Sequence, residues 1–137
     1  MPDPVQTLVE KIAGVAAILG MPVFVDTPYV LEEGSLPRVT VWTGTEESQS
    51  ESRSDWAEYV RVSPILEVHL EDDDPDLIRG IINQAWRVLR TEIRATDWWE
   101  YTADGTMYSF AKSGLDVDDK PGIAGFAVQF EFTVELD

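Results

Sequence analysis

A single histidine, no cysteine and 26 acidic side chains limit the chemistry open to this 137-residue chain. Without cysteine there is no disulfide, no thiolate nucleophile and no zinc-ribbon or iron–sulfur ligation. His69 is the one candidate for a triad base or an imidazole metal ligand. It falls on the polar face of a predicted strand, in parity with Glu67 and Arg61, and no G-x-S-x-G elbow accompanies it. A sheet-face histidine is the reading that this spacing supports. Two carboxylate clusters, Asp72-Asp73-Asp74-x-Asp76 and Asp116-x-Asp118-Asp119, supply oxygens of the kind calcium and magnesium take. Pro75 breaks the calcium-loop pattern in the first, and Lys120 stands at a ligand position in the second. Helix capping accounts for the first cluster and a solvated turn for the second, so neither a metal nor another cofactor is expected.

Phosphate-binding loops are absent in both common forms, G-x-x-x-x-G-K-[ST] and G-x-G-x-x-G. Gly122-Ile123-Ala124-Gly125 has the spacing of a nucleic-acid-clamping G-x-x-G loop, but Lys120 is its one basic neighbour. It reads as a turn leading into the last strand. A net charge of -16, from 26 acidic and 10 basic residues, repels phosphate backbones and anionic membranes alike. The apolar fraction of 44% is that of an ordinary globular protein. The most apolar early stretch, Val5 to Leu19, contains Glu10 and Lys11 and follows Asp3, the wrong flank for a signal peptide. No run approaches the ~20 apolar residues that span a bilayer. No catalytic residue is assigned, and a small α+β enzyme with a Glu or Asp base has no positive signal.

The elements that would position any site follow from caps and periodicity. Asp3-Pro4 opens a helix whose apolar residues (Val5, Leu8, Val9, Ile12, Val15, Ala16, Leu19) recur at three- and four-residue steps until Gly20. Val23 to Asp26 is a short β-prone run, and Pro28 to Pro37 reads as a loop. Arg38 to Thr43 alternates as a strand. Residues 44–57, rich in Ser and Glu, cannot build a core and read as a mobile loop. Tyr59 to Leu70 is a long strand with Val60, Val62, Leu66, Val68 and Leu70 on one face. Pro64 predicts an edge position or a bulge within it.

Asp74-Pro75 opens a second helix reaching about Ala95, with Leu77, Ile78, Ile81, Ile82, Ala85, Val88 and Leu89 as its apolar face and Trp86 and Ile93 continuing it. Trp98 to Thr102 and Thr106 to Ala111 flank Ala103-Asp104-Gly105 and read as a hairpin, followed by a polar connection from Lys112 to Gly122. Phe126 to Leu136 alternates strictly and is expected inside the sheet, because an exposed edge of that length invites aggregation. The fold class is therefore α+β: a mostly antiparallel or mixed sheet of five to six strands, with two amphipathic helices on one face. The chain reads as a single domain over 1–137.

Two features remain that chemistry does not absorb. On adjacent strand positions Trp98 and Trp99 would face opposite ways, one into the core and one toward a helix end or a partner. Arg79, Arg87, Arg90 and Arg94 fall within about 80° of one another at the ~100° per residue of a helix, beside the apolar arc. Two readings stay open for this stripe. Its arginines pair with carboxylates of their own chain, or they form a subunit seam against an acidic loop of the next copy. These six residues are the candidate interface positions.

In this arrangement the chain resembles the tail terminator proteins of long-tailed bacteriophages. The resemblance is carried by the first helix (VQTLVEKIAGVAAIL), the strand running into an acidic, proline-opened helix (ILEVHLEDDDPDLIRGIINQAWRVL), a polar hairpin region and the last strand (GFAVQFEFTVEL). It covers nearly the whole chain and extends to related head–tail connector and tail-completion proteins. The twin tryptophans and the Ser/Glu-rich segment belong to no shared pattern. The resemblance implies a structural subunit of the virion tail or neck, assembled in the host cytoplasm. It implies a homo-oligomeric ring, a hexamer in that family, that caps the tail tube and contacts tail tube and head–tail connector proteins. DNA would pass through the ring without sequence-specific binding, and carboxylates facing the bore would repel it. The alternative of another class is an acidic DNA mimic that inhibits a nucleic-acid enzyme. That reading wants carboxylates spaced along one face like phosphates, whereas here they gather at caps and loops.

Overall fold

In the computed structural model, which describes residues 3–26, 37–48, 58–71, 74–99, 101–102, 107–116 and 123–136, the Asp3 carboxylate accepts from the Val5 amide at 2.8 Å and starts α1 (Pro4–Ala16). Pro4 takes the first helical position, where its missing N–H is not needed. The helix tightens into a 3₁₀ turn (Ala17–Leu19) and stops at Gly20, whose φ of 73° is left-handed. Pro75 opens α2 (Pro75–Ala95) in the same way, with Asp74 Oδ1 accepting from the Asp76 and Leu77 amides at 2.9 and 3.4 Å. This cap satisfies two donors that the first turn leaves without helical partners. Asp74→Ala is expected to lower stability by about 1 kcal/mol. Urea denaturation would show it as a lower midpoint with an unchanged slope.

Five strands form one mixed sheet in the order β1-β2-β3-β5-β4. They are β1 (Val23–Val25), β2 (Arg38–Ser48), β3 (Glu58–Glu71), β4 (Met107–Asp116) and β5 (Ile123–Leu136). The β1–β2 pair is parallel and the other three pairs are antiparallel. Both helices lie on one face of the sheet, where Val5, Leu8, Val9 and Ile12 of α1 and Ile78, Ala85, Leu89 and Ile93 of α2 are buried. Against them β2 places Val39 and Val41, β3 places Val60, Val62, Leu66, Val68 and Leu70, and β5 places Phe126, Val128, Phe130, Phe132 and Val134. The expected α+β class, strand number and one-sided helix layer are those observed. So is the interior place of the last strand, which pairs with both β3 and β4.

Pro64 produces a bulge and not an edge. β3 is central, and opposite Pro64 the β2 strand carries two residues, Thr43 and Gly44, between the Trp42–Ile65 and Thr45–Ser63 pairs. Gly44 has φ of 75° and lies so close to the Ser63 carbonyl oxygen that a Cβ would collide with it. Asp26 braces the bulge from β1. Its carboxylate takes the Thr43 amide at 2.8 Å and the Thr43 hydroxyl at 2.6 Å, and it adopts φ of 50° to do so. A short polar side chain that bonds locally tolerates this left-handed backbone.

Four expectations need correction. Gly44 to Ser48 continue β2, paired with β3 from Thr45 to Ser48, so that stretch is strand and not loop. Trp98, Trp99, Tyr101 and Thr102 do not lie in a strand: the Tyr101 amide and the Thr102 hydroxyl both donate to the Trp98 carbonyl, at 3.1 and 2.9 Å, as in a turn. β4 runs on through Lys112 to Asp116, where a connection was expected. Ile123 to Gly125 already belong to β5, paired with Glu71, Leu70 and His69, so the G-x-x-G segment ends in strand rather than in a turn. The expected loop over residues 28–36, the remainder of the Ser/Glu-rich segment (49–57), the Asp-Gly turn and the connection over 117–122 lie outside the described residues.

Candidate functional site

The helix-free face of the sheet carries the polar side chains in which chemistry was sought. His69 lies there and is buried, with Arg38 as its cross-strand partner and Glu67 two residues before it on the same face. Burial pushes its pKa below the ordinary 6.5, with Glu67 opposing and Arg38 adding to the shift, so the imidazole is neutral at pH 7. Its neighbours are engaged structurally. Glu67 accepts from the Trp42 indole at 2.5 Å. Arg38 donates to the Thr40 hydroxyl at 3.2 Å and lays its guanidinium 4.2 Å from the centre of the Phe24 ring. Further along, Arg61 bridges to Glu131 at 2.7 Å. Among the described residues no group of three or more His, Asp or Glu side chains is placed to hold a metal ion, and Asp74 of the first carboxylate cluster caps α2.

The helix face presents a different kind of surface. Arg79, Arg87, Arg90 and Arg94 are all exposed along α2. Buried Ile78, Ala85, Leu89 and Ile93 fix the inward direction of the helix, and the arginines fall on one shoulder of the opposite side at ~100° per residue. Asn83 and Trp86 share that arc, and with Arg87, Arg90 and Thr91 they line a shallow cavity of about 340 Å³. Trp86 leans over the sheet, its ring 6.0 Å from Phe126 and edge-on to it. Lys112 of β4 reaches the same ring at 5.8 Å. The cationic shoulder of α2 and the outermost strand therefore meet over one buried phenylalanine. Arg79 stands 3.9 Å from Asp76 with both side chains exposed, a contact worth little in water.

The opposite shoulder of α2 is apolar. Leu77 and Val88, expected to be core, are 53% and 38% exposed. Val88 lines a groove with Ile18, Leu19, Met21 and Ile81, at the junction of α2 with the end of α1. The two tryptophans part company as expected, although on a turn. Trp98 is buried, with its ring 5.0 Å from Phe132, while Trp99 is 67% exposed. The turn that holds Trp99 outward is rigid at its start, because its amide donates to the Asp97 carboxylate at 3.0 Å.

No protein-family pattern matches the chain, and no curated protein sequence matches it. Among solved structures it is similar to the sheath/tube terminator of an extracellular contractile injection system, PVC, in its extended state. Identity is 12% and the TM-score 0.46, over 98% of this chain and 56% of the other. The chain thus spans little more than half the length of that neighbour.

Of the six interface candidates, the structure brings the four arginines onto one exposed shoulder, sets Trp99 on the surface and places Trp98 in the core. Lys112 and Trp86 were not among the candidates, yet they complete the shoulder. Lys112 was hidden by its assignment to a connection. Once it is placed on a strand, its pairing with Val128 puts it on the helix side of the sheet.

Proposed function

We propose that this chain is a structural subunit of a phage-type tail. In this reading it is the terminator, which forms a ring of six copies, closes the tail tube and joins it to the head while DNA passes through the centre. The observation that carries the proposal is the α2 shoulder: four exposed arginines on one side of one helix, in a chain with net charge -16. A cationic strip on an acidic protein offers every other copy a complementary surface, which favours a defined register between subunits. Two different patches meeting head to tail close into a ring when the rotation permits. The distant likeness to a sheath/tube terminator is not what the proposal rests on.

Light scattering after size exclusion, over a series of protein concentrations, tests it. The expected result is a discrete oligomer whose formation is lost in the Arg87→Glu/Arg90→Glu variant, with far-UV circular dichroism unchanged because both side chains are exposed. A wild-type protein that stays monomeric throughout, and that also fails to bind isolated tail tubes, would overturn the reading.

A further inference from the structure

The shoulder of α2 has a floor, and the floor is β4, the border strand of the sheet among the described residues. This strand is ten residues long and stands at the border of the sheet, paired with β5 alone among the described residues. Between Met107 and Asp116 it contains no proline, and Ala111 and Lys112 are exposed. Edges of this length are ordinarily blunted or covered, since their unpaired N–H and C=O groups attract another strand. Among the described residues the helices pack on β1, β2, β3 and β5, so β4 projects as a shelf beside α2. Arg79, Arg87, Arg90, Arg94 and Lys112 stand along this side, half of the ten basic residues of the chain.

We infer that this valley is the docking groove for a second copy of the chain, which enters with the acidic end of its β2–β3 pair. That end carries Glu46 and Glu47 on β2 and Glu58 on β3, all exposed, with exposed Glu135 on the adjoining end of β5. Thr45 to Ser48 of β2 pair with β3 on one side and with no described strand on the other, so they can continue the ladder at the β4 edge, while the carboxylates meet the guanidinium row above. The contact joins two different patches, so it runs head to tail. A two-fold contact through the valley would instead set arginines against arginines, which costs association free energy. The inference rests on the ring reading and adds to it the identity of the acidic partner surface.

The decisive variant is Glu46→Lys/Glu47→Lys. It makes the chain less acidic than -16, so general repulsion between copies falls and non-specific electrostatics predicts tighter association. Docking into the valley predicts the reverse, an association constant at least about a hundredfold weaker. The charge-swapped chain, which combines these two changes with Arg87→Glu and Arg90→Glu, is expected to recover assembly to within about tenfold of wild type. Sedimentation equilibrium gives the constants. Far-UV circular dichroism checks the fold, and Glu46→Gln/Glu47→Gln serves as a milder variant should the lysines disturb β2. If the acidic-end variants assemble as wild type while Arg87→Glu/Arg90→Glu does not, the inference fails and the arginine seam stands. If each half-variant is weakened and the swapped chain is not restored, the two patches do not meet and the inference fails. If wild type never assembles, the inference and the ring reading fail together.

Discussion

Gly125→Ala is expected to destabilise the protein by about 3 kcal/mol, a large effect for one added methyl group. Gly125 lies within β5, between His69 of β3 and Leu115 of β4. A Cβ there would strike the Val68 carbonyl oxygen and crowd the Val68 carbonyl carbon at 3.1 Å and His69 Cα at 3.3 Å. All three are backbone atoms in the most extensively paired part of the sheet, so no rotamer change relieves the contact. β5 must move away from β3, and the ladder bonds that lengthen include those holding buried Val68 and Phe126 in register. Urea denaturation would read the loss as a lower midpoint at nearly constant slope. A wild-type midpoint would show that the two strands stand further apart here than the structure places them.

Phe132→Ala is expected to cost at least as much, about 3–5 kcal/mol. Phe132 is fully buried, its ring 5.0 Å from Trp98 and 5.8 Å from Phe130, so removing it opens a cavity beneath the turn that follows α2. Trp98 then loses the ring it packs on, and its indole N–H finds no hydrogen-bond acceptor among the described residues. The substitution should therefore loosen the turn carrying Trp99 as well as lower the melting temperature. Thermal unfolding followed by tryptophan emission measures both. A loss below about 1 kcal/mol would mean that the turn does not rest on β5 as described.

Helices and core strands were legible because their signals are local. Asp-Pro pairs mark both helix starts, Gly20 marks a stop, and strict alternation marks β5. The misread segments owe their structure to distant partners. Thr45 to Ser48 has a loop composition and becomes strand because β3 supplies a ladder for it. Lys112 to Asp116 becomes strand because β5 does the same. The aromatic run after α2 suggested a strand, although Asp97, two residues before Trp99, is an Asx-turn signal that could have been read. On the helix-free face, the burial of Arg38 and His69 could not be inferred from alternation alone. Alternation marks such positions as polar, and it does not show that Arg38 would lie over Phe24.

The cationic shoulder divides in the same way. Helical spacing alone places the four arginines together, and the structure adds Lys112 through the pairing of β4 with β5 and Trp86 through its packing on Phe126. A sequence pattern thus located the four arginines, and tertiary contacts located Lys112 and Trp86 beside them.

The place of β5 between β3 and β4 also sets the order in which the molecule can be made. Strand β4 precedes β5 in the chain yet has no partner among the described residues until β5 is inserted. During synthesis the helices, β1, β2 and β3 emerge first, but their inner face lacks Phe126, Phe130 and Phe132, the three bulkiest fully buried side chains. Contacts of such long sequence separation form slowly. Closure of the core therefore waits for residues 123–136, and until they arrive the nascent chain keeps an unfinished apolar surface in reach of chaperones.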